Sequence, residues 1–208
     1  MKQKIKDLLK DKNLVVGVLL FIIGVIVNQV ASLFLSSKFA EGGLPILNDL
    51  CLDNLPYIKI AWMYDLFIII PAVIFLIYTY KKDLKSTPYF LILFGLSQLL
   101  RGVFIMLTPF GSPNNGLIGL FKGAAFRNGV YPSGHTQSAF LFFLLAKGIY
   151  KKIIFVFFLL LIMALLLGRG HYSIDIFSAI LFNYAIYCFG EKYLKKYFKK
   201  EVKVEDKK

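Results

Sequence analysis

The sequence predicts an all-α membrane protein, a bundle of six transmembrane helices with both chain termini in the cytoplasm. Three observations lead to this fold class. Of the 208 residues, 58% are hydrophobic, which is more apolar surface than one soluble domain of this size can bury. The apolar residues gather into six runs, each close to the roughly 20 residues that cross a hydrocarbon core of about 30 Å. The charged residues collect in short blocks between these runs.

The six predicted spans divide the chain into one membrane domain and two short basic ends. They cover residues 14–35, 59–80, 88–109, 135–150, 152–169 and 173–190. We therefore expect a basic arm at 1–13, a membrane domain at 14–190 and a basic tail at 191–208. The first span also resembles a signal peptide, but its apolar run is long and no Ala-x-Ala site follows, so we expect it to stay uncleaved.

The distribution of lysine predicts how the spans are oriented. Four segments carry most of the lysines, namely the N-terminal arm, the connections at 81–85 and 147–152, and the C-terminal tail. In a six-span arrangement all four lie on the same side, and positive loops stay in the cytoplasm. The net charge of +13 is thus a membrane-topology signal. We expect the lipid bilayer, and not nucleic acid, as the partner of these charges.

The two histidines of the chain, His135 and His171, each stand at the end of an apolar run within a polar cluster. The two runs between them would pass through a bilayer and return, so both imidazoles should face the periplasm or the cell exterior. Asp175 follows His171 by four residues, which places the two side chains on one helical face. Ser133 and Gly134 come directly before His135, at the predicted start of a helix.

These residue types at these positions suit phosphoryl transfer through a phosphohistidine. His171 can be the nucleophile if Asp175 accepts the N–H of its other nitrogen and stabilises the imidazolium that forms. His135 would protonate the departing alkoxide and later deprotonate the attacking water or alcohol. Ser133, Gly134 and the first amides of the helix would hold phosphate oxygens, because a helix N-terminus presents free N–H groups and positive dipole.

Four cations are candidates to bind the phosphate, and arginine is favoured because it makes bidentate contacts. They are Arg169, Arg127, Lys122 and Arg101. Each also has a purely structural alternative. Arg169 can extend to the membrane interface, and Lys122 and Arg127 can be solvated loop charges. Arg101 lies within the third span, where it can equally pair with Asp65 of the second span.

The motif Pro-Ser-Gly-His at 132–135, followed by His-x-x-x-Asp at 171–175, resembles the type 2 phosphatidic acid phosphatase superfamily. The resemblance implies a six-helix bundle and a reaction without metal or other cofactor. It implies that His135, His171 and Asp175 form the catalytic triad. The residues within both motifs are more similar to the branch that contains sphingomyelin synthases. The same is true of Arg101 followed by Leu-Thr-Pro at 107–109. That branch moves a phospho-headgroup between lipids.

The sequence therefore predicts a multi-pass cell-membrane lipid phosphatase whose site faces outward. A lipid phosphotransferase shares its first half-reaction and stays open as the alternative. A transporter is less favoured, because no Gly- or Pro-broken helices recur in matching halves. The predicted fourth span is only about 16 residues, or roughly 24 Å, so His135 should lie below the outer edge of the membrane core. This depth predicts a membrane lipid as the substrate.

Overall fold

The computed structural model of the chain describes residues 2–38, 43–113 and 131–197. In these ranges every regular element is helical, which confirms the all-α class. The helices are α1 (Lys2–Leu9), α2 (Lys12–Lys38), α3 (Leu50–Asp53), α4 (Trp62–Lys82), α5 (Thr87–Leu107), α6 (Gly134–Leu145), α7 (Gly148–Leu167) and α8 (Ser173–Phe189). A 3₁₀ turn precedes α5, and a π-helical turn continues α8. The predicted arm at 1–13 contains α1, and most of the tail lies outside the described residues.

Five helical segments of the described chain are long and apolar enough to cross a membrane. They are Lys12–Lys38, Trp62–Lys82, Leu84–Leu107, Gly148–Leu167 and Ser173–Tyr197. At most a third of the most apolar window of each segment is buried inside the protein. The large apolar residues exposed on these segments are mostly leucine, isoleucine, valine and phenylalanine. Such faces suit contact with lipid, which satisfies no backbone polar group and therefore requires helices. The chain thus has the transmembrane helices of a membrane protein.

The fourth predicted span is shorter than expected. Helix α6 has 12 residues, or about 18 Å, where the sequence predicted a span over 135–150. It ends because Ala146 and Lys147 have extended backbone and Gly148 takes a φ of +59°. Glycine adopts this left-handed conformation without the penalty that a Cβ brings. Residues 148–150 therefore belong to α7, and the helix break falls earlier than the lysine cluster suggested.

Helices α6 and α7 pack against each other in antiparallel fashion. The ring centroids of Phe140 and Phe158 are 5.4 Å apart, and those of Phe143 and Phe155 are 5.1 Å apart. This register, continued to the start of α6, puts His135 opposite a residue about four positions before the end of α7. Four residues of helix correspond to roughly 6 Å. The start of α6 is therefore recessed by about one turn from the end of its neighbour.

Helix α2 packs along α5 through small residues. A Cβ built on Gly24 would lie 2.6 Å from the carbonyl oxygen of Gly95, and one built on Gly95 would lie 2.8 Å from backbone atoms of α2. Small residues let two transmembrane helices approach until their backbones touch. Helix α4 packs along α7, and α8 contacts α5 and α6. This arrangement brings the starts of α4, α6 and α8 to the same end of the bundle as the ends of α5 and α7.

Candidate functional site

His171 and Asp175 form a buried pair at the start of α8. The Nδ1 atom of His171 lies 3.1 Å from Oδ2 of Asp175, and the same oxygen accepts the N–H of Tyr172 at 3.0 Å. The side chains are 5% and 0% exposed, respectively. Asp175 belongs to the first turn of α8. His171 precedes the helix, and its ring contacts Asp175 in that first turn. The pair holds Nδ1 and leaves Nε2 as the nitrogen that can react.

The electrostatic surroundings of His171 keep its ring neutral. Burial lowers the pKa of His171 below its ordinary value of 6.5, and the neighbouring His135 and Arg101 lower it further. The hydrogen bond to Asp175 and its negative charge act in the opposite direction without reversing the shift. A neutral imidazole has the lone pair that a nucleophile needs. His171 therefore has a free ring lone pair at neutral pH.

His135 lies in the first turn of α6 and faces His171. The two ring centroids are 6.0 Å apart, with an angle of 67° between the ring planes. The His135 side chain is 21% exposed, so it is the more accessible of the two. Its Nε2 atom lies 3.6 Å from Oδ1 of Asp65 in α4, and the ring of Tyr64 packs edge-on against it at 6.4 Å. The structure thus brings both histidines together, each with a carboxylate beside it.

Ser133 caps α6 and joins it to α8. Its Oγ atom accepts the N–H of Thr136 at 3.3 Å, and its own N–H donates to the carbonyl oxygen of Asp175 at 3.1 Å. Beside it, a Cβ built on Gly134 would lie 3.2 Å from the guanidinium carbon of Arg101. Glycine at this position therefore lets the guanidinium lie against the first turn of the helix.

Hydrogen bonds to Pro132 and Asn28 hold Arg101 of α5 at this helix start. Its Nε atom donates to the carbonyl oxygen of Pro132 at 2.9 Å, and a terminal nitrogen donates to Oδ1 of Asn28 in α2. Asn28 is in turn bonded to Gln98, so these polar side chains pack within the bundle. Sequence reasoning left open whether Arg101 pairs with Asp65. The structure places Asp65 beside His135 and places Arg101 over Gly134.

Of the other three candidate cations, the structure describes Arg169 alone. Arg169 lies in the turn between α7 and α8, where it reaches the carbonyl oxygen of Leu52 at 3.4 Å and the ring of Tyr57 at 6.0 Å. Its Nε atom is buried and has no hydrogen-bond partner among the described residues. Lys122 and Arg127 lie outside the described residues.

Arg169 also has an unusual backbone conformation. Its φ is +52°, while neither flanking glycine has a positive φ. A left-handed conformation costs a residue with a Cβ roughly 1–2 kcal/mol. Such strain persists where the surroundings impose it and is often found at functional sites. Glycine would therefore adopt this backbone conformation at lower energy than Arg169 does.

Sequence reasoning missed two residues of α4. From the sequence, Asp65 is considered only as a partner of Arg101, and Tyr64 is not among the candidate residues. Tyr64 is fully buried, and its hydroxyl has no hydrogen-bond partner within the described ranges. A Cβ on Gly170 would lie 2.7 Å from its ring, so the turn around Arg169 closes over Tyr64. A carboxylate in an apolar span is costly when unpaired, and that cost was the available signal for Asp65.

The connection between α2 and α4 is hydrogen-bonded to Tyr172 and Ser173, the two residues that follow His171. Leu47 donates its N–H to the hydroxyl of Tyr172 at 3.0 Å, and Ser173 donates its N–H to Oδ2 of Asp49 at 2.6 Å. Burial acts to raise the pKa of Asp49, but the hydrogen bonds it accepts, first that of Ser173, hold it below its ordinary value of 3.8. This connection therefore fixes the segment that carries His171.

No model of a known protein family matches the chain, and no curated protein matches its sequence. Within residues 2–38, 43–113 and 131–197, no three His, Cys, Asp or Glu side chains gather where they could hold a metal ion. The described site brings together two imidazoles, two carboxylates, the start of α6 and the guanidinium of Arg101.

Proposed function

We propose that the protein is an integral-membrane lipid phosphatase that acts through a phosphohistidine intermediate, as the resemblance to the type 2 phosphatidic acid phosphatases implies. The observation that carries the proposal is the pair of facing imidazoles, 6.0 Å apart between ring centroids. One ring, whose pKa burial lowers, is held by a buried carboxylate, and the other is partly exposed beside a second carboxylate. This separation is on the scale of one phosphoryl group.

The first half-reaction transfers the phosphoryl group to the protein. The Nε2 lone pair of His171 attacks phosphorus while the bond from phosphorus to the lipid oxygen breaks. Protonated His135 gives its proton to that oxygen, so the lipid leaves as an alcohol. Asp175 accepts the Nδ1 proton of His171 in a hydrogen bond and stabilises the positive charge on the ring. The products are a phosphohistidine and a lipid alcohol.

The second half-reaction releases the phosphate. His135, now neutral, takes a proton from water while the water oxygen attacks phosphorus and the bond to His171 breaks. Inorganic phosphate leaves, and both histidines regain their starting protonation states. The charge on the phosphate oxygens needs fixed donors throughout. The amides of Gly134 and His135 at the helix start, together with Arg101 and Arg169, are suited to that role, and Lys122 and Arg127 are further candidates.

The proposal includes a six-span topology in the cell membrane, with α6 as the short fourth span and both termini in the cytoplasm. The antiparallel register of α6 and α7 supports it, because it brings the histidines to one end of the bundle. The lysine-rich arm and tail support the cytoplasmic position of the other end. In this topology the site faces the periplasm or the cell exterior.

The depth of the site supports a lipid as the substrate. Helix α6 is about 18 Å long, well short of a hydrocarbon core of about 30 Å. His135 is also recessed by about one turn from the end of α7. A lipid that moves sideways in the outer leaflet would bring its phosphate to this depth, whereas a soluble ester would have to descend from the water. The same depth admits a lipid alcohol as acceptor, so headgroup transfer is the second candidate.

Product analysis by lipid mass spectrometry tests the proposal. Purified protein, a His171→Ala variant and a Thr79→Val variant would be incubated with phosphomonoester, diphosphate and diester lipids, with and without a lipid alcohol. Thr79 is a buried residue of α4 near the opposite end of that helix, so Thr79→Val is the matched control. Dephosphorylated lipid and free phosphate from wild type and Thr79→Val, but not from His171→Ala, are expected.

Two other outcomes would change the assignment. A new headgroup-bearing lipid that forms only with the lipid alcohol would establish the transferase. Equal product from wild type and His171→Ala would contradict a phosphohistidine at this residue.

A further inference from the structure

Asp65 is a carboxylate that the proposed reaction has not yet used. It lies in the first turn of α4, and its side chain is 6% exposed. Burying a carboxylate costs several kcal/mol unless positive charge or hydrogen bonds compensate. Its Oδ1 atom lies 3.6 Å from Nε2 of His135, which is 70 residues further along the chain. From this contact we infer that Asp65 is a positioning residue that stabilises the protonated form of His135. The inference rests on the proposed function.

The two histidine–carboxylate contacts differ in a way that suits different roles. Asp175 hydrogen-bonds Nδ1 of His171 at 3.1 Å, which fixes one tautomer and leaves one nitrogen for attack. Asp65 stands 3.6 Å from His135, beyond hydrogen-bond length, so its effect is that of a charge and ties down neither ring nitrogen. His135 has to give up and regain a proton in each turnover, and a contact without a fixed hydrogen bond permits both.

The charges around His135 show why a carboxylate is needed there. The guanidinium of Arg101 lies against Gly134, directly before His135 in α6. A nearby cation disfavours a second positive charge on the imidazole, and the positive character that His171 gains during attack adds to this effect. Asp65 is the negative charge that faces His135 from α4, while Asp175 is engaged with His171. Asp65 therefore offsets Arg101 and keeps His135 able to serve as the acid.

In the first half-reaction, the proton moves from the His135 imidazolium to the leaving oxygen as the bond from phosphorus to that oxygen breaks. Asp65 stays ionised throughout and exchanges no proton. Its effect should therefore depend on how much the leaving group needs an acid. An alkoxide needs a proton in order to leave, whereas a nitrophenolate leaves readily without one.

The test compares two membrane-resident probes in a single turnover, namely hexadecyl phosphate and a hexadecyl-substituted nitrophenyl phosphate. Wild type, Asp65→Asn, Asp65→Glu and the control Thr79→Val would be measured by the release of alcohol or nitrophenol. We expect Asp65→Asn to slow hexadecanol release by roughly 10- to 100-fold, a part of the roughly 100-fold or more that a general acid supplies. Nitrophenol release should fall by less than about threefold. Asp65→Glu should recover much of the lost rate.

A double substitution keeps the inference testable if Asp65→Asn does not fold. In a His135→Gln background, which leaves no imidazolium for the carboxylate to compensate, Asp65→Asn should have no further effect on hexadecanol release, because Asp65 acts through His135. Equal losses for both probes, or an additive loss in the double variant, would overturn the role of Asp65 and leave the phosphatase standing. Turnover that is the same in wild type and His171→Ala would overturn the proposed function, and this inference with it.

Discussion

The backbone N–H of Ser133 donates to the carbonyl oxygen of Asp175 at 3.1 Å, so the start of α6 is bonded directly to the first turn of α8. The two segments that carry the candidate histidines are thereby held in one frame. Ser133 also caps α6 through its hydroxyl, which accepts the N–H of Thr136. A change at this one residue therefore acts on the helix that carries His135 and on its alignment with His171.

Substitution of Ser133 by alanine should lower stability and activity together. Loss of a serine N-cap costs about 1 kcal/mol, and the helix start then loses part of its alignment. We expect a free energy of unfolding lower by that amount and a fall in kcat of roughly tenfold, since small misplacements of reacting groups are costly. Unfolding in mixed detergent measures the change in stability. The release of phosphate from a lipid substrate measures the change in kcat. Ser37→Ala, at the exposed end of α2, is the control and should change neither.

The pH dependence of activity should report on His171. Its pKa lies below 6.5, so the neutral form persists as the pH falls to 6.5 and is lost only below that value. Asp175→Asn removes the group that raises this pKa, so the acid limb of kcat/KM should move to still lower pH. The maximal rate should fall by roughly 100-fold or more, because the tautomer is no longer held. An acid limb that moves to higher pH in Asp175→Asn would contradict the assignment.

The free energy of unfolding should depend on the same protonation of His171. The unfolded chain binds a proton at His171 with the ordinary pKa of 6.5, whereas the folded protein binds it more weakly. Protons are therefore taken up on unfolding below pH 6.5, and stability falls as the pH drops through that value. His171→Gln should lack this component. Unfolding in detergent between pH 7 and pH 5 would compare the variant with wild type, and equal slopes would count against a lowered pKa.

Two substitutions of Arg169 separate its backbone from its side chain. Arg169→Ala and Arg169→Gly both remove the guanidinium, but only glycine relieves the cost of a φ of +52°. The glycine variant should be more stable than the alanine variant by about 1 kcal/mol. If the guanidinium binds phosphate, both variants should lose activity to the same extent, roughly 100-fold. Activity retained in Arg169→Gly would show that Arg169 is structural.

The turn around Arg169 and the side chain of Tyr64 should be energetically coupled. A Cβ on Gly168 would collide with the Tyr64 hydroxyl, so Gly168→Ala should destabilise the protein by about 1–3 kcal/mol. Tyr64→Phe should cost little, because the hydroxyl is buried without a partner among the described residues. The double variant should be more stable than Gly168→Ala alone. Strict additivity in detergent unfolding would argue against this contact.

Much of the fold could be predicted from the sequence because lipid leaves a chain few choices. Apolar runs that cross a membrane have to be helical, and five helical segments of the described chain are long and apolar enough to do so. The sixth predicted run is the shorter helix α6, whose predicted start agrees with the structure and whose predicted end does not. Its length depends on the left-handed φ of Gly148, which a hydropathy pattern does not register. The lysine cluster around this break suggested a turn several residues further on.

The sequence by itself determined those parts of the site that depend on local geometry. The four-residue spacing brings His171, which precedes α8, against Asp175 in its first turn, and the motif around Ser133 sets the capped start of α6. Only the tertiary structure decided that Asp65 faces His135, that Arg101 covers Gly134 and that Tyr64 is buried. These contacts join helices far apart in the chain. They depend on how each helix is rotated about its axis, and that rotation is set by side-chain packing between neighbouring helices.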